Sequence, residues 1–262
     1  MCYHYKMSFL DAIILGIVEG ITEFLPISST AHLMMTSRIL GISQTEFLKS
    51  FEIIIQFGAV AALVFVFGKR LVQNPWLWKK VALAFIPTSI IGFLLYNIIK
   101  SHLIGNLGVA VLGLIIGGII LIIVEHYISK KTDHPHSGLE EITNKQAVII
   151  GFVQALAVIP GVSRSAATIT STLLFGSSRK AAAEFSFFLA IPTVAIAACY
   201  DLFKNIHVVN DHVPVLIIGF LASFISALIS IKFLLSFIQT RSFTSFGIYR
   251  IIVALLFFAF FV

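Results

Sequence analysis

The sequence predicts an all-α polytopic membrane protein of two inverted-topology repeats, each made of one re-entrant broken helix pair and three transmembrane helices. Its 262 residues are 58% hydrophobic and only 11% charged, with a mean hydropathy of +1.02, far too little polar surface to cover a soluble globule of this size. Apolar runs of roughly 17 to 25 residues recur along the whole length; this is the length of bilayer-crossing helices, and it excludes the alternating pattern of an outer-membrane barrel. Two of the apolar segments are interrupted by prolines and hydroxyl clusters, and they stand half a chain apart.

Residues 9–40 form the first interrupted segment. Glu19, Glu23, Pro26 and the cluster Ser28-Ser29-Thr30 are costly in a lipid-facing span. Two half-helices of about 12 residues, about 18 Å each at 1.5 Å per residue, instead reach mid-bilayer and return. Residues 51–67, 81–99 and 109–128 follow as full spans. The longest polar stretch, 129–145, is too short to fold alone and reads as a cytoplasmic loop. Residues 147–175 are again apolar but broken, by Gln154, Pro160, Gly161, Ser163, Arg164 and Ser165, and three spans follow at 185–203, 213–237 and 246–262. The chain is thus expected to be one membrane domain, 1–262, with repeats at approximately 8–128 and 145–262.

An offset of 135 residues places Gly16 on Gly151, Glu19 on Gln154, Ser28 on Ser163, Ala31 on Ala166 and Gly41 on Gly176. Each half crosses three times, an odd number, so the second half is expected upside down, with the broken helices of both halves meeting near the midplane. Loop charges orient the chain if neither broken segment crosses. The side opposite the N-terminus collects Lys69, Arg70, Lys79, Lys80, Lys130, Lys131, Lys145, Arg179, Lys180, Lys232, Arg241 and Arg250. The N-terminal side keeps Lys6, Arg38, Lys49, Lys100 and Lys204. The positive-inside rule makes the first side cytoplasmic, so both termini and the mouth of the first broken segment face outward. It also accounts for the basic excess without nucleic acid, which is not expected as a partner. Cys2 and Cys199 have no zinc or disulfide spacing. The N-terminal stretch lacks the parts of a removable signal peptide, so the first apolar segment is expected to remain.

The chemistry concentrates at the two interruptions. Glu19 and Glu23, spaced i and i+4, project from one helix face and need a cation. Pro26 stops that helix, and Ser28, Ser29 and Thr30 supply N-cap chemistry for a new one carrying His32 on its first turns. In the second segment Pro160 and Gly161 end a half-helix, Ser163 or Ser165 can cap the next, and Arg164 stands at its N-terminus. Free backbone N–H groups beside an arginine make a phosphate site. Two helix N-termini, a guanidinium and two carboxylates together suit an anionic, metal-bound ligand such as a pyrophosphate with a divalent cation. Each feature also has a plainer use: Glu19 and Glu23 can neutralise Arg164 in a buried ion pair, the hydroxyls can be caps and packing residues, and a histidine at a helix start has many roles. Glu52 and Gln56 share one face of the first span. Glu52 and Glu184 read as interfacial, Glu125 and Asp201 as span-end charges, and the phenylalanines as packing and lipid-facing surface.

Glu19 to His32 (Glu-Gly-Ile-Thr-Glu-Phe-Leu-Pro-Ile-Ser-Ser-Thr-Ala-His) and Pro160 to Thr168 (Pro-Gly-Val-Ser-Arg-Ser-Ala-Ala-Thr) resemble the two signature motifs of the bacterial undecaprenyl pyrophosphate phosphatases, often called bacitracin-resistance proteins. The resemblance runs the length of the chain, including Phe51 to Gln56 and Ala183 to Phe187. One departure is Ala31, where relatives commonly have glycine. The resemblance implies removal of the terminal phosphate of undecaprenyl pyrophosphate, recycling the cell-wall lipid carrier at the outer face of the bacterial cytoplasmic membrane, with inverted repeats and a divalent cation, Mg2+ or Ca2+. By motif, Glu19 and Glu23 match the acidic pair, expected to hold the metal, Ser29 the hydroxyl and His32 the histidine. Ser163, Arg164, Ser165 and Thr168 match the second motif and, with Ser28 and Thr30, are expected to bind substrate. Either Ser29 attacks with His32 as base, or His32 or a glutamate activates water. The rival reading is a transporter or flippase of a polyprenyl phosphate or other anion, since broken helices at the midplane are transporter architecture. A type-2 phosphatidic acid phosphatase is disfavoured, its paired histidine motifs being absent. A homodimer is left open by the sequence.

Overall fold

The computed structural model describes residues 7–130 and 138–261, and among these every regular element is helical. Cys2, Lys6, Lys131 and the middle of the expected 129–145 loop lie outside the described residues. In order, the helices are α1 (Phe9–Thr22), α2 (Ser29–Ile39), α3 (Glu46–Gln73), α4 (Pro75–Ile98), α5 (Leu107–Ser129), α6 (Asn144–Ala155), α7 (Arg164–Leu174), α8 (Arg179–Lys204), the single turn α9 (Ile206–Val209), α10 (Val213–Thr240) and α11 (Thr244–Phe261). Six stretches are long and apolar enough to cross a membrane: Glu46–Gln73, Pro75–Leu103, Leu107–Ser129, Arg179–Lys204, Ile206–Thr240 and Thr244–Phe261. They fall where the sequence places its six spans. The short pairs α1/α2 and α6/α7 fall on its two interrupted segments.

Local chemistry explains the boundaries. Ser8 and Asp11 form a reciprocal capping box that starts α1, and Thr45, Asn106 and Ser178 cap α3, α5 and α8 through their side chains. The breaks are built alike in both halves. Ser28 (φ 71°) and Ser163 (φ 75°) both sit in the left-handed half of backbone space, unusual for serine, and both side chains accept the N–H of the residue three ahead, Ala31 and Ala166. The two short helices then end at Gly41 (φ 71°) and Gly176 (φ 90°), a turn that only glycine makes without a side-chain clash. All of these positions obey the 135-residue offset.

Small residues let the broken segments press against long spans. Gly16 and Gly20 of α1 face the backbone of α10 at Gly219 and Ser223, leaving no room for a Cβ, and Ser230 donates to the Ile21 carbonyl at 2.7 Å. In the other half Gly151 of α6 lies on the Ala84 carbonyl of α4, and Thr88 donates to the Gly151 carbonyl at 2.7 Å. α5 packs on α11 through Gly117, Gly118 and Gly247. Charged residues also pin helices together. Arg70 pairs with Glu184 at 2.7 Å, Lys100 with Asp201 at 2.6 Å, and Arg179 with Glu125. Glu184, near the start of α8, is thus a buried partner for the half-exposed Arg70 near the end of α3. Side chains such as Phe65, Leu94 and Phe203 project outward, as lipid-facing phenylalanines and leucines do.

Arg250 departs from its expected place. The sequence counts it among the cytoplasmic loop charges, yet it is wholly buried on α11. Its position near the start of an apolar run looks the same in sequence whether the side chain snorkels to water or turns inward.

Candidate active site

The loops that end α1 and precede α7 converge with the start of α2 around a cavity of about 160 Å³ lined by Glu23, Ser28, Ser29, Thr30, Ser163 and Arg164, with α3, α4, α6 and α8 adding Gln56, Thr88, Gln154 and Thr193. Two motifs more than a hundred residues apart in sequence thus form one wall. Their helix N-termini, at Ser29 and Arg164, each present backbone N–H groups there.

Glu23 is the hub. Its Oε1 accepts from Arg164 Nη2 at 2.8 Å and its Oε2 accepts from the Ser29 hydroxyl at 2.6 Å. Arg164 is oriented from behind by Ser186 of α8, whose carbonyl and hydroxyl accept from Nη1 at 2.8 and 3.2 Å. Its Nε–H is buried and has no partner among the described residues. Ser165 and Thr168 stand behind this wall. Ser165 donates to the Leu25 carbonyl at 2.8 Å, tying the two breaks to each other, and Thr168 donates to Ser186 at 2.7 Å. Neither lines the cavity.

His32 does not face Ser29. Its Nδ1 lies 2.8 Å from the Ser28 carbonyl and must carry the hydrogen of that bond, so in the neutral ring Nε2 is the acceptor, and it lies 3.0 Å from the Tyr249 hydroxyl, which donates. The two rings also stack, 5.7 Å apart and 5° from parallel. In this arrangement the acceptor beside the Ser29 hydroxyl is Glu23, and His32 makes no hydrogen bond to it.

Glu19 is fully buried, and neither carboxylate oxygen has a hydrogen-bond partner among the described residues. The carboxylates of Glu23 and Glu52 and the guanidinium of Arg164 are near enough to act on it electrostatically. Two buried carboxylates side by side, Glu19 and Glu23, are the donor set of a hard, oxygen-seeking cation, so the residues present fit a divalent metal. Among the described residues no three His, Cys, Asp or Glu side chains group closely enough to enclose an ion by themselves.

A family profile described as Bacitracin resistance protein BacA matches residues 12–256, nearly the whole chain. The chain belongs to this family. It is similar to the undecaprenyl-diphosphatase of Aquifex aeolicus, 52% identical over 253 residues that cover 96% of this chain and 98% of the relative. The undecaprenyl-diphosphatase of Sulfurihydrogenibium sp. is 49% identical over 253 residues (96% and 99% of the two chains), and that of Wolinella succinogenes 48% over 252 residues (96% and 97%).

Several residues of this BacA-family site escaped the sequence reading. Glu52 is 2% exposed and sits near Glu19 and Ser37, at the back of the acidic pair. Its i, i+4 pairing with Gln56, which lines the cavity, was the available signal. Gln154 stands where the offset places it against Glu19; it lines the cavity and donates to Thr88 at 2.8 Å. Tyr249 and Arg250 had no signal, because α11 reads only as an apolar span.

Proposed function

We propose that this protein hydrolyses undecaprenyl pyrophosphate to undecaprenyl phosphate and inorganic phosphate. Returning the lipid carrier to cell-wall synthesis in this way would confer resistance to bacitracin. The observation that carries the reading is the Ser29–Glu23–Arg164 chain of hydrogen bonds, set between two helix N-termini. It supplies a nucleophile, its base, and a cation for the charge of the transferring phosphoryl group. The relatives that match nearly end to end carry the name of that activity. They give the transport reading no support.

In the mechanism, the helix N-termini of α2 and α7 and the Arg164 guanidinium hold the terminal phosphate, and the polyprenyl tail runs into lipid. Ser29 Oγ attacks the terminal phosphorus as its proton passes to Glu23. The bridging P–O bond breaks, and undecaprenyl phosphate leaves with the bridging oxygen. Glu23 passes that proton on to the departing undecaprenyl phosphate; water then attacks the phosphoserine as its proton passes to Glu23, the Ser29 Oγ–P bond breaks, and Ser29 takes the proton back from Glu23 as inorganic phosphate departs. Glu19 and Glu23 would hold the divalent cation, Mg2+ or Ca2+, which when bound neutralises phosphate charge and polarises the phosphorus. Two carboxylates plus substrate oxygens match Mg2+, which keeps several waters, better than the six to eight oxygens Ca2+ takes. All the named groups come from one chain, so a homodimer is not needed for this chemistry.

The same reading sets the protein in the bacterial cytoplasmic membrane as two inverted repeats, with α1/α2 and α6/α7 as re-entrant pairs. Supporting this, α1 packs on α10 as α6 packs on α4, which are equivalent spans of opposite halves. Gln56, Thr193 and Ala197 fall in those halves of α3 and α8 that lie away from the basic ends at Lys69, Arg70, Arg179 and Lys180. With the positive-inside rule, this placement supports a cavity that faces the outer side.

The test is phosphate release from undecaprenyl pyrophosphate by detergent-solubilised protein, where no gradient can drive transport. Release should stop with EDTA and return with Mg2+. Glu23→Gln and Arg164→Ala should each lower turnover by about 10²-fold or more at unchanged folded yield. No release by the wild type, or full activity in both variants, overturns the reading; indifference to EDTA overturns the metal.

A further inference from the structure

Arg250 has no accessible surface, and among the described residues no carboxylate pairs with it. Its guanidinium instead donates to backbone carbonyls. Nε reaches Leu114 at 3.3 Å and Nη1 reaches Pro26 at 3.2 Å, while Nη2 reaches Gly113 at 3.0 Å, Gly161 at 2.6 Å and Val162 at 3.1 Å. Pro26 and Gly161 are equivalent under the 135-residue offset, and each lies two residues before the serine that caps its short helix, Ser28 or Ser163. One planar fork on α11 therefore grips the same point of both breaks at once. A buried cation without a counter-ion is a costly way to fill space, and an apolar side chain would pack α11 on α5 more cheaply. What the arginine adds is a rigid set of donors pointing in fixed directions.

We propose that Arg250 is a positioning residue for phosphoryl transfer, fixing the separation of the two serine-capped helix N-termini so that Ser29 and Arg164 address the same pyrophosphate. It touches no substrate; it acts through the carbonyls of Pro26, Gly161 and Val162. The inference rests on the phosphatase reading above. Misplacing reacting groups by about 1 Å can cost a factor of about 10² in rate, so loss of the grip should appear in kcat while the lipid tail and the separate loops still bind.

Gly117 of α5 supplies an independent handle. The three heavy atoms nearest a Cβ built there are Nη2, Cζ and Nη1 of Arg250, so Gly117→Ala keeps the arginine, its charge and the helix, and pushes the guanidinium off its carbonyls. The experiment is steady-state kinetics in detergent with undecaprenyl pyrophosphate on Arg250→Gln, Arg250→Lys, Gly117→Ala and the double variant Arg250→Gln/Gly117→Ala. Gly68→Ala, whose new Cβ meets nothing, serves as control. Rates are normalised to the monodisperse folded fraction. Expected are a fall in kcat of roughly 10 to 10²-fold in Arg250→Gln and in Gly117→Ala, with KM within about threefold of wild type. Arg250→Lys should restore little, because an ammonium lacks the fork, and the double variant should be no worse than Arg250→Gln alone. If Arg250→Gln does not fold, Gly117→Ala decides. A Gly117→Ala enzyme with wild-type kcat, or losses that multiply in the double variant, overturns the proposal. Absence of phosphate release by the wild type would instead overturn the reaction on which it rests.

Discussion

At the scale of the residue, the arrangement turns on which partner each polar group has chosen. His32 has both ring nitrogens engaged, by the Ser28 carbonyl and the Tyr249 hydroxyl, whereas Ser29 gives its proton to Glu23. Removing the phenol oxygen with Tyr249→Phe leaves Nε2 without its donor, at a cost of about 1 kcal/mol in stability. Turnover should fall less than tenfold, far less than for Glu23→Gln; kinetics and a thermal melt in detergent measure both. If Tyr249→Phe is as inactive as Glu23→Gln, His32 is the base after all. The sequence already held the cast, since Glu19, Glu23, Ser29, His32 and Arg164 are conspicuous in an apolar chain. It could not hold the pairing, because Tyr249 lies 217 positions from His32 and Arg164 lies 141 from Glu23.

At the scale of the element, the broken helices were legible because proline, glycine and hydroxyl clusters are local signals, written where they act. The faces the helices bury were not, because nearly every position in these segments is apolar or small and no periodicity separates lipid from protein. Gly151 illustrates it: nothing in its neighbours announces that the Ala84 carbonyl of α4 lies against it. Gly151→Val forces backbone apart from backbone, and overpacking of this kind costs about 1–3 kcal/mol. The expected outcome is a lower melting temperature in detergent than for Gly92→Ala, whose Cβ meets nothing. Equal melting temperatures would show that α6 does not lean on α4 in this way. The same blindness hid Arg250, whose i, i+3 and i, i+4 neighbours on α11 are those of any membrane span.

At the scale of the whole molecule, the number and order of the six long helices follow from apolar length alone, which is why they could be counted in advance. Orientation follows from loop charge and can be checked directly. In a variant lacking Cys2 and Cys199, a single cysteine at Lys79 should react with a membrane-impermeant maleimide only after cells are permeabilised. One at His102 should react in intact cells. The reverse pattern would turn the protein over and close the cavity to the outside. The two left-handed serines have a further consequence, for heat tolerance. Serine holds such torsion angles at a cost of about 1–3 kcal/mol, and glycine would relax both corners. Yet glycine has no hydroxyl to cap the two helix ends that the proposed mechanism sets against phosphate. Ser28 and Ser163 are thus where selection for a sturdier protein and selection for a faster one pull in opposite directions.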